Sequence, residues 1–219
     1  MTESLTAEQM EEVNKLQKRY FNENVDLFEP PLPKGVPERL KATVKASRLR
    51  RGERVLDVGT GTGILIPYIM KYAPSEIHVC DLAENMLRRV KGKFPQVMAH
   101  FCDVGDLQLP DDSLDVAFIN ACFSNIMDKS KCLDNLYRLM RRKGRLVVSH
   151  PLGRGFIVEL KKRAPFHLDL LPDEVDARVL CEQHGFSVAS FTDKPLLYIF
   201  VAESTKRKNP SAVRELNPA

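Results

Sequence analysis

A short apolar strand followed by three closely spaced glycines constrains the fold of this chain more than any other feature. Residues 54–63 read Arg-Val-Leu-Asp-Val-Gly-Thr-Gly-Thr-Gly. The β-branched run is typical of a buried parallel strand, and Gly59, Gly61 and Gly63 can adopt the positive φ that a sharp turn requires. Because a helical stretch follows over residues 64–72, the pattern predicts a strand-to-helix turn. Without Cβ atoms, such a turn lets a ligand lie directly against the backbone, so the run predicts a cofactor site.

The spacing of these glycines and the acidic residue before them favour one kind of cofactor. A dinucleotide fingerprint has Gly-x-Gly-x-x-Gly spacing around a pyrophosphate, whereas this chain has Gly-x-Gly-x-Gly with Asp57 in the strand end. The run resembles motif I of the class I S-adenosylmethionine-dependent methyltransferases, whose cofactor has an amino acid and a sulfonium but no phosphate. The carboxylate of Asp57 suits an ammonium better than a pyrophosphate. The resemblance implies a cofactor site containing Asp57, Gly59, Thr60, Gly61 and Gly63; another nucleotide-binding α/β domain and a purely structural turn are the alternatives.

Length and composition limit the kinds of protein that this chain can be. The 219 residues suit one globular domain, and a net charge of +4 is too mild to indicate a nucleic-acid partner. The five cysteines are odd in number and lack Cys-x-x-Cys spacing, which is typical of reduced thiols. The chain has no apolar run of membrane-spanning length and an acidic N-terminus unlike a signal peptide. We therefore expect an intracellular protein, in the cytoplasm or an organelle matrix or stroma, with no membrane span.

Two further acidic residues follow predicted strands. Asp81 ends a strand over residues 76–80, eighteen residues after Gly63, and this separation suits a carboxylate that accepts from the ribose hydroxyls. The alternative is that Asp81 only caps the next helix. The run from Asp81 resembles the second motif of the family and includes Leu82. The same resemblance implies that Asp103 and the backbone of Val104 contact the adenine. Asp106 is close enough in sequence to be the alternative match for the acidic residue of that motif.

The ends of the fourth and fifth strands are expected to meet the transferred methyl group. In open parallel sheets, ligands bind at the carboxyl ends of the strands, which places Asn120, Cys122 and Phe123 at the site. Cys122 is interpreted as an inert small apolar residue rather than a nucleophile. His150 follows the fifth strand and is either a general base or a hydrogen-bonded residue that shapes the pocket. Arg154 is a candidate anchor for an anionic substrate.

The N-terminal region has the pattern of a helical lid. Residues 6–28 carry apolar side chains at helical intervals, a proline cluster ends the helix, and a second helix is predicted over residues 36–49. Tyr20 and Phe28 are expected either to line the substrate side of the cofactor or to pack in the core. The loop over residues 164–171 is a second candidate cover for the substrate.

The order of elements predicts an α/β, Rossmann-like doubly wound sheet. The family resemblance implies seven strands in the order 3-2-1-4-5-7-6 with the last strand antiparallel. A helix over residues 131–140 is expected to end at a basic turn closed by Gly144, before a strand over residues 145–149. The predicted organisation is a helical lid and connector (1–49), an S-adenosylmethionine-binding domain (50–202) and a disordered tail (203–219).

Within the superfamily the chain resembles the small-molecule branch that includes the ubiquinone/menaquinone C-methyltransferases. The implied reaction is an in-line displacement that converts S-adenosylmethionine to S-adenosylhomocysteine without a metal, with a base optional. An RNA or protein methyltransferase is the enzymatic alternative, although the Asn/Asp-Pro-Pro-Tyr run of amino-group methylases is absent after the fourth strand. A cofactor-binding scaffold without catalysis is the other alternative. No pattern in the sequence identifies the methyl acceptor or the oligomeric state.

Overall fold

A computed structural model describes residues 5–207. Its centre is one seven-stranded sheet in the order β3-β2-β1-β4-β5-β7-β6, as predicted. Neighbouring strands pair in parallel from β3 to β5, whereas β7 runs antiparallel to both β5 and β6. The strand bounds are β1 Arg54–Val58, β2 Glu76–Asp81, β3 Met98–Phe101, β4 Leu114–Asn120, β5 Met140–His150, β6 Phe186–Lys194 and β7 Leu197–Ser204.

Two apolar cores cover the two faces of this sheet, because successive side chains of a strand point to opposite faces. Val55 belongs to the core with helices α2, α3 and α4, and Leu56 belongs to the core with α5, α6 and α7. Both side chains are fully buried, and each such residue contributes about 1.5–3 kcal/mol of transfer free energy. The helix bounds are α1 Ala7–Glu23, α2 Val36–Ala46, α3 Ile66–Met70, α4 Glu84–Lys93, α5 Lys129–Leu139, α6 Gly153–Lys161 and α7 Glu174–Gln183.

The N-terminal segment is shorter in helix than predicted. Thr6 caps α1 through a reciprocal pair of hydrogen bonds with Gln9, and α1 ends at Glu23. The chain then makes a 3-10 turn over Val25–Phe28 instead of continuing the helix. Helix α2 likewise ends at Ala46 rather than at residue 49. Within residues 5–207, no helix combines the length and apolarity needed to cross a membrane.

The predicted glycine-closed helix end at Gly144 is wrong. Helix α5 ends at Leu139, and the chain enters β5 at Met140, which is buried and whose backbone is in register with Leu114 of β4. The next pair joins Val116 to Arg145, so the residues between them form a bulge. Lys143 takes the left-handed conformation of this bulge, with φ of 61°. Packing of the strand outweighs the local preference of the basic turn.

The C-terminal strand extends past the predicted end of the domain. Strand β7 reaches Ser204, two residues beyond position 202, and the Thr205 N–H donates to the Gly185 carbonyl at 2.9 Å. The first residues of the predicted tail are therefore part of the sheet. The tail beyond residue 207 lies outside the described residues.

Candidate cofactor and acceptor site

Each glycine of the turn after β1 meets a different neighbour. All three have positive φ, at 58° for Gly59, 55° for Gly61 and 81° for Gly63. A Cβ on Gly59 would lie 2.1 Å from the Sγ of Cys122, and one on Gly63 would meet the side chains of the helices behind it. A Cβ on Gly61 would meet nothing within 4 Å. Two of the glycines thus permit close packing, and the third leaves bare backbone facing open space.

Asp81 connects the glycine turn to the end of β2. Its Oδ2 accepts from the Gly61 N–H at 2.9 Å, and its Oδ1 accepts from the Ala83 N–H at 2.8 Å. Burial raises the pKa of this carboxyl, and the N–H groups of Ala83 and Gly61 offset part of that rise. The N-cap of α4 is Ala83, so the interpretation of Asp81 as the helix cap is wrong. Leu82 follows it, half-buried, at the strand end.

Asp57 is a carboxyl enclosed in the protein. It is 2% exposed, and the Thr60 hydroxyl donates to its Oδ2 at 2.7 Å. Burial raises the pKa of Asp57 to about 7, since desolvation disfavours the charged form. No ion pair to Asp57 occurs among the described residues. A cation brought to this carboxylate by a ligand would therefore be strongly stabilised.

The third strand end distinguishes Asp103 from Asp106. The Oδ1 of Asp103 accepts from the Gly105 N–H at 2.7 Å, and the side chain is half-buried. Asp106 is exposed and pairs with Lys131 at 2.6 Å. Val104 is buried, and its carbonyl accepts from the Asn135 side chain at 2.7 Å. Asp103 is thus half-buried and bonded within its own turn, whereas Asp106 belongs to the surface.

At the end of β4, the predicted residues separate into two groups. The Oδ1 of Asn120 accepts from the Ser149 hydroxyl at 2.9 Å, and Cys122 packs against Gly59. Burial raises the pKa of the Cys122 thiol, so it stays protonated and unreactive. Phe123, predicted to line the substrate space, instead lies in the core at 1% exposure against Phe200. Because Phe123 lies just after β4 and its side chain is large and apolar, burial in the core is more favourable than exposure to the substrate space.

His150 is held in one tautomer. The Leu152 N–H donates to its Nδ1 at 3.2 Å, and its ring stacks on Phe156 with centroids 5.4 Å apart. It is 5% exposed, and burial lowers its pKa to about 4. Because Nδ1 accepts a hydrogen bond, the neutral ring carries its proton on Nε2. The remaining edge of this histidine is a donor.

Arg154 is engaged in structural contacts. Its Nε donates to the Leu171 carbonyl at 3.1 Å, and its Nη1 pairs with Asp193 at 3.0 Å. The guanidinium thereby connects α6 to the loop that precedes α7 and to β6. The Arg154 guanidinium, predicted as an anchor for an anionic substrate, is thus already engaged by protein groups.

Aromatic side chains from the N-terminal segment and the 164–171 loop form a cluster that we call the aromatic cover: Tyr20, Phe21, Phe28 and Phe166. Phe21 contacts the other three rings, with centroids 5.4–5.8 Å apart. The Phe28 carbonyl accepts from the Thr62 hydroxyl at 2.8 Å, which brings the cover onto the glycine turn. The cover thus lies beside the first strand end.

Polar contacts fix the N-terminal segment to α4. The Oδ1 of Asn22 accepts from the Asn85 backbone N–H at 2.8 Å, and the backbone carbonyl of Asn22 accepts from the Asn85 side-chain amide at 3.0 Å. Glu29 pairs with both Arg89 and Lys93. Sequence reasoning missed these residues, because partners about sixty positions apart carry no spacing signal. Within residues 5–207 no group of three or more metal-ligating side chains is arranged to hold a metal ion.

Comparison with known proteins gives consistent matches. A family model described as a methyltransferase domain matches residues 56–148. The ubiquinone/menaquinone biosynthesis C-methyltransferase UbiE of Vibrio campbellii is 34% identical over 114 residues, covering 48% of this chain and 44% of that protein. The demethylmenaquinone methyltransferase of Clavibacter sepedonicus is 33% identical over 149 residues, covering 62% and 59%. The chain therefore spans about half the length of the curated relatives it matches.

Solved structures share the fold. The 1,6-didemethyltoxoflavin-N1-methyltransferase of Burkholderia thailandensis, solved with S-adenosylhomocysteine, superimposes with a TM-score of 0.70 at 18% identity, covering 94% of each chain. The magnesium protoporphyrin IX methyltransferase of Synechocystis has a TM-score of 0.66 at 20% identity, covering 88% of this chain and 99% of that one. At these identities the likeness concerns the fold alone. The matched domain, the strand order and the glycine turn together make this chain similar to the class I S-adenosylmethionine-dependent methyltransferases, and among its curated relatives are ubiquinone/menaquinone C-methyltransferases.

Proposed function

We propose that this chain transfers a methyl group from S-adenosylmethionine to a small molecule by in-line displacement. The observation that carries the proposal is the glycine turn itself. Gly61 presents bare backbone to open space beside two carboxyls, the buried Asp57 and the half-buried Asp81. A cofactor with a cationic amino acid at one end and a ribose diol in the middle suits this arrangement, whereas a pyrophosphate would meet two carboxyls.

The residues that would hold this cofactor lie along three strand ends. We assign Asp57, Thr60 and Gly59 to the amino-acid portion, where the buried carboxyl, which has no counterion among residues 5–207, would meet an ammonium. Asp81, with Leu82 beside it, would take the ribose. The Oδ2 of Asp103, which has no hydrogen-bond partner in the described part of the chain, would take the adenine together with the Val104 N–H. Asn120 is assigned to the methyl end, since its amide already lies at the exit of β4.

When bound, the cofactor supplies an electrophilic methyl group that needs no metal. The contribution of the protein is then to align an acceptor with that methyl and to exclude water. The N-terminal helical segment, residues 1–49, would act as the lid. Tyr20 and Phe28 of the aromatic cover, with Cys122 across the turn, are our candidates for lining the acceptor space. Of the two roles considered for His150, its geometry supports the pocket-shaping one, in which Nε2–H donates to the acceptor.

An intracellular place of action, cytoplasmic or within an organelle, is part of this proposal. Its support is that all five cysteines are free thiols in the structure.

The proposal is tested by incubating the protein with methyl-labelled S-adenosylmethionine and three separated fractions: protein-free metabolites, RNA and protein. We expect label in the metabolite fraction, and an Asp81→Ala variant should lose it. Label in RNA or protein alone would replace the small-molecule assignment by the enzymatic alternative. Cofactor binding without label in any fraction would instead indicate a non-catalytic scaffold.

A further inference from the structure

The loop over residues 164–171 connects the aromatic cover to the end of β4. On one side, the Phe166 ring contacts Tyr20 and Phe21, with centroids 5.5 and 5.8 Å apart. On the other side, the Asp169 N–H donates to the Ser124 carbonyl in the turn after β4, at 3.0 Å. His167 lies between these two attachments. The loop therefore brings an imidazole to the edge of the sheet where the acceptor is proposed to bind.

Hydrogen bonds orient the imidazole of His167. Its Nε2 lies 2.9 Å from the Oδ1 of Asp169, while Lys129 pairs with the Oδ2 of the same carboxylate. Lys129 is itself fixed by the Ile126 carbonyl at 2.8 Å. Burial acts to raise the pKa of Asp169, but Lys129 and His167 outweigh it, so the pKa is lowered and the carboxylate stays ionised.

An ionised carboxylate only accepts, so the proton of the neutral His167 ring lies on Nε2. The Nδ1 lone pair then has no hydrogen-bond partner within residues 5–207. This is the inverse of His150, whose Nδ1 lone pair is occupied and whose free edge is a donor. Of the two histidines at this edge, His167 is the one able to accept a proton.

We propose that His167 is the general base of the methyl transfer and that Asp169, held by Lys129, is its positioning residue. This inference rests on the proposed function. In the step, Nδ1 of His167 takes the proton from the acceptor's O–H, N–H or activated C–H bond. The freed electron pair forms the bond to the methyl carbon, and the pair of the breaking S–CH3 bond stays on sulfur. His167 becomes imidazolium and S-adenosylhomocysteine is the co-product, so atoms and charge balance.

His184 provides a matched control. Its Nδ1 lies 2.6 Å from the Oδ1 of Asp134, so it too is a histidine paired with a carboxylate. However, it follows the C-terminal end of α7, two residues before β6 begins. Since β6 runs parallel to β5, this position lies at the opposite edge of the sheet from the strand ends that form the site.

The test compares wild type, His167→Gly and His184→Gly in label transfer to the metabolite extract, with and without added imidazole. General-base catalysis is worth about 10²–10⁴-fold, so we expect a loss of at least about 100-fold in His167→Gly that imidazole partly restores. His184→Gly should transfer as wild type does. Cofactor affinity measured by calorimetry should be equal in all three.

Two results would overturn the assignment of His167: undiminished transfer by His167→Gly, or a loss that imidazole does not restore. A readout independent of turnover is the ring tautomer from ¹H–¹⁵N correlation spectra, where we expect Nε2–H; a proton on Nδ1 at neutral pH contradicts the proposal. No label transfer by the wild type would instead remove the proposed function, and this inference with it.

Discussion

The two edges of the site are built by different means. The edge proposed to hold the cofactor, at the ends of β1, β2 and β3 (the cofactor edge), is held by backbone groups of neighbouring turns, such as the Gly61 and Ala83 N–H groups on Asp81. The edge proposed to hold the acceptor, at the ends of β4 and β5 (the acceptor edge), is held by side chains from distant segments, such as Lys129 with Asp169. Local geometry thus specifies the cofactor edge, whereas tertiary packing specifies the acceptor edge.

The largest expected effect is on the cofactor edge. Gly59→Ala places a Cβ 2.1 Å from the Cys122 Sγ at a φ of 58°. Overpacking and backbone strain together should lower the free energy of unfolding by about 4 kcal/mol, measured by urea denaturation. Gly61→Ala is the control, because its Cβ meets nothing within 4 Å: it should cost only about 1 kcal/mol of stability yet weaken cofactor binding. Equal destabilisation by both variants would refute the separate roles of the two glycines.

Next in size is a pH effect from Asp57. Its folded-state pKa, about 7, is raised above the unfolded value, so the folded state binds more protons and stability falls as pH rises. Between about pH 5 and pH 7.5 this carboxyl should cost the cofactor-free protein about 2–3 kcal/mol. Asp57→Asn keeps an acceptor for Thr60 but lacks this contribution, so its stability relative to wild type should rise by about 2–3 kcal/mol across this range in denaturant titrations. A stability difference that does not change with pH would show that Asp57 does not titrate in this range.

His150, on the acceptor edge, should act in the opposite direction. Its folded-state pKa, about 4, is below the unfolded value, so stability is lost as pH falls below about 6.5. Between about pH 7.5 and pH 5 the loss should be about 2 kcal/mol, and His150→Gln should abolish it. The two contributions nearly cancel in wild type, so only the difference between each variant and wild type separates them. A stability difference between His150→Gln and wild type that does not change between about pH 7.5 and pH 5 would mean that the buried imidazole does not titrate in this range.

The smallest expected effect concerns the contact between the N-terminal segment and α4. Asn22→Ala removes a side-chain acceptor from the Asn85 N–H, which should cost about 1 kcal/mol and speed proteolysis within α1. Lys15→Ala is the control, since its pairs with Glu11 and Glu12 are exposed and contribute little. Equal proteolysis rates in both variants would indicate that this contact does not hold the segment down.

The distinction between local geometry and tertiary packing also explains what the sequence could predict. The strand order and the positions of Gly61 and Asp81 were predictable, because one strand-turn-helix unit fixes their spacing. The helix end predicted at Gly144 was wrong, because burial of Met140 in β5 outweighs the local preference of this segment for a turn. The pair of Asn22 with Asn85 was unpredictable, since no local spacing relates residues that meet only through packing.

The same reasoning applies to the histidines. His150 was predicted at the site because it directly follows the predicted strand over residues 145–149, yet its orientation depends on a hydrogen bond from Leu152 that no sequence pattern specifies. His167 lies in a loop without a motif, and only folding brings it between Asp169 and the aromatic cover. Position along the chain indicates proximity to the site, whereas tautomer and access come from the tertiary structure.

The central claim is that the glycine turn and Asp81 form an S-adenosylmethionine site, and calorimetric titration of the cofactor into wild type and Asp81→Ala tests it most directly. Asp106→Ala serves as the control, because that exposed carboxylate pairs with Lys131 away from the turn. The account predicts one binding site in wild type and in Asp106→Ala, with affinity lowered about 10–100-fold in Asp81→Ala, as the loss of hydrogen bonds to a charged group implies. Absence of binding by wild type, or equal affinity in Asp81→Ala, would contradict it.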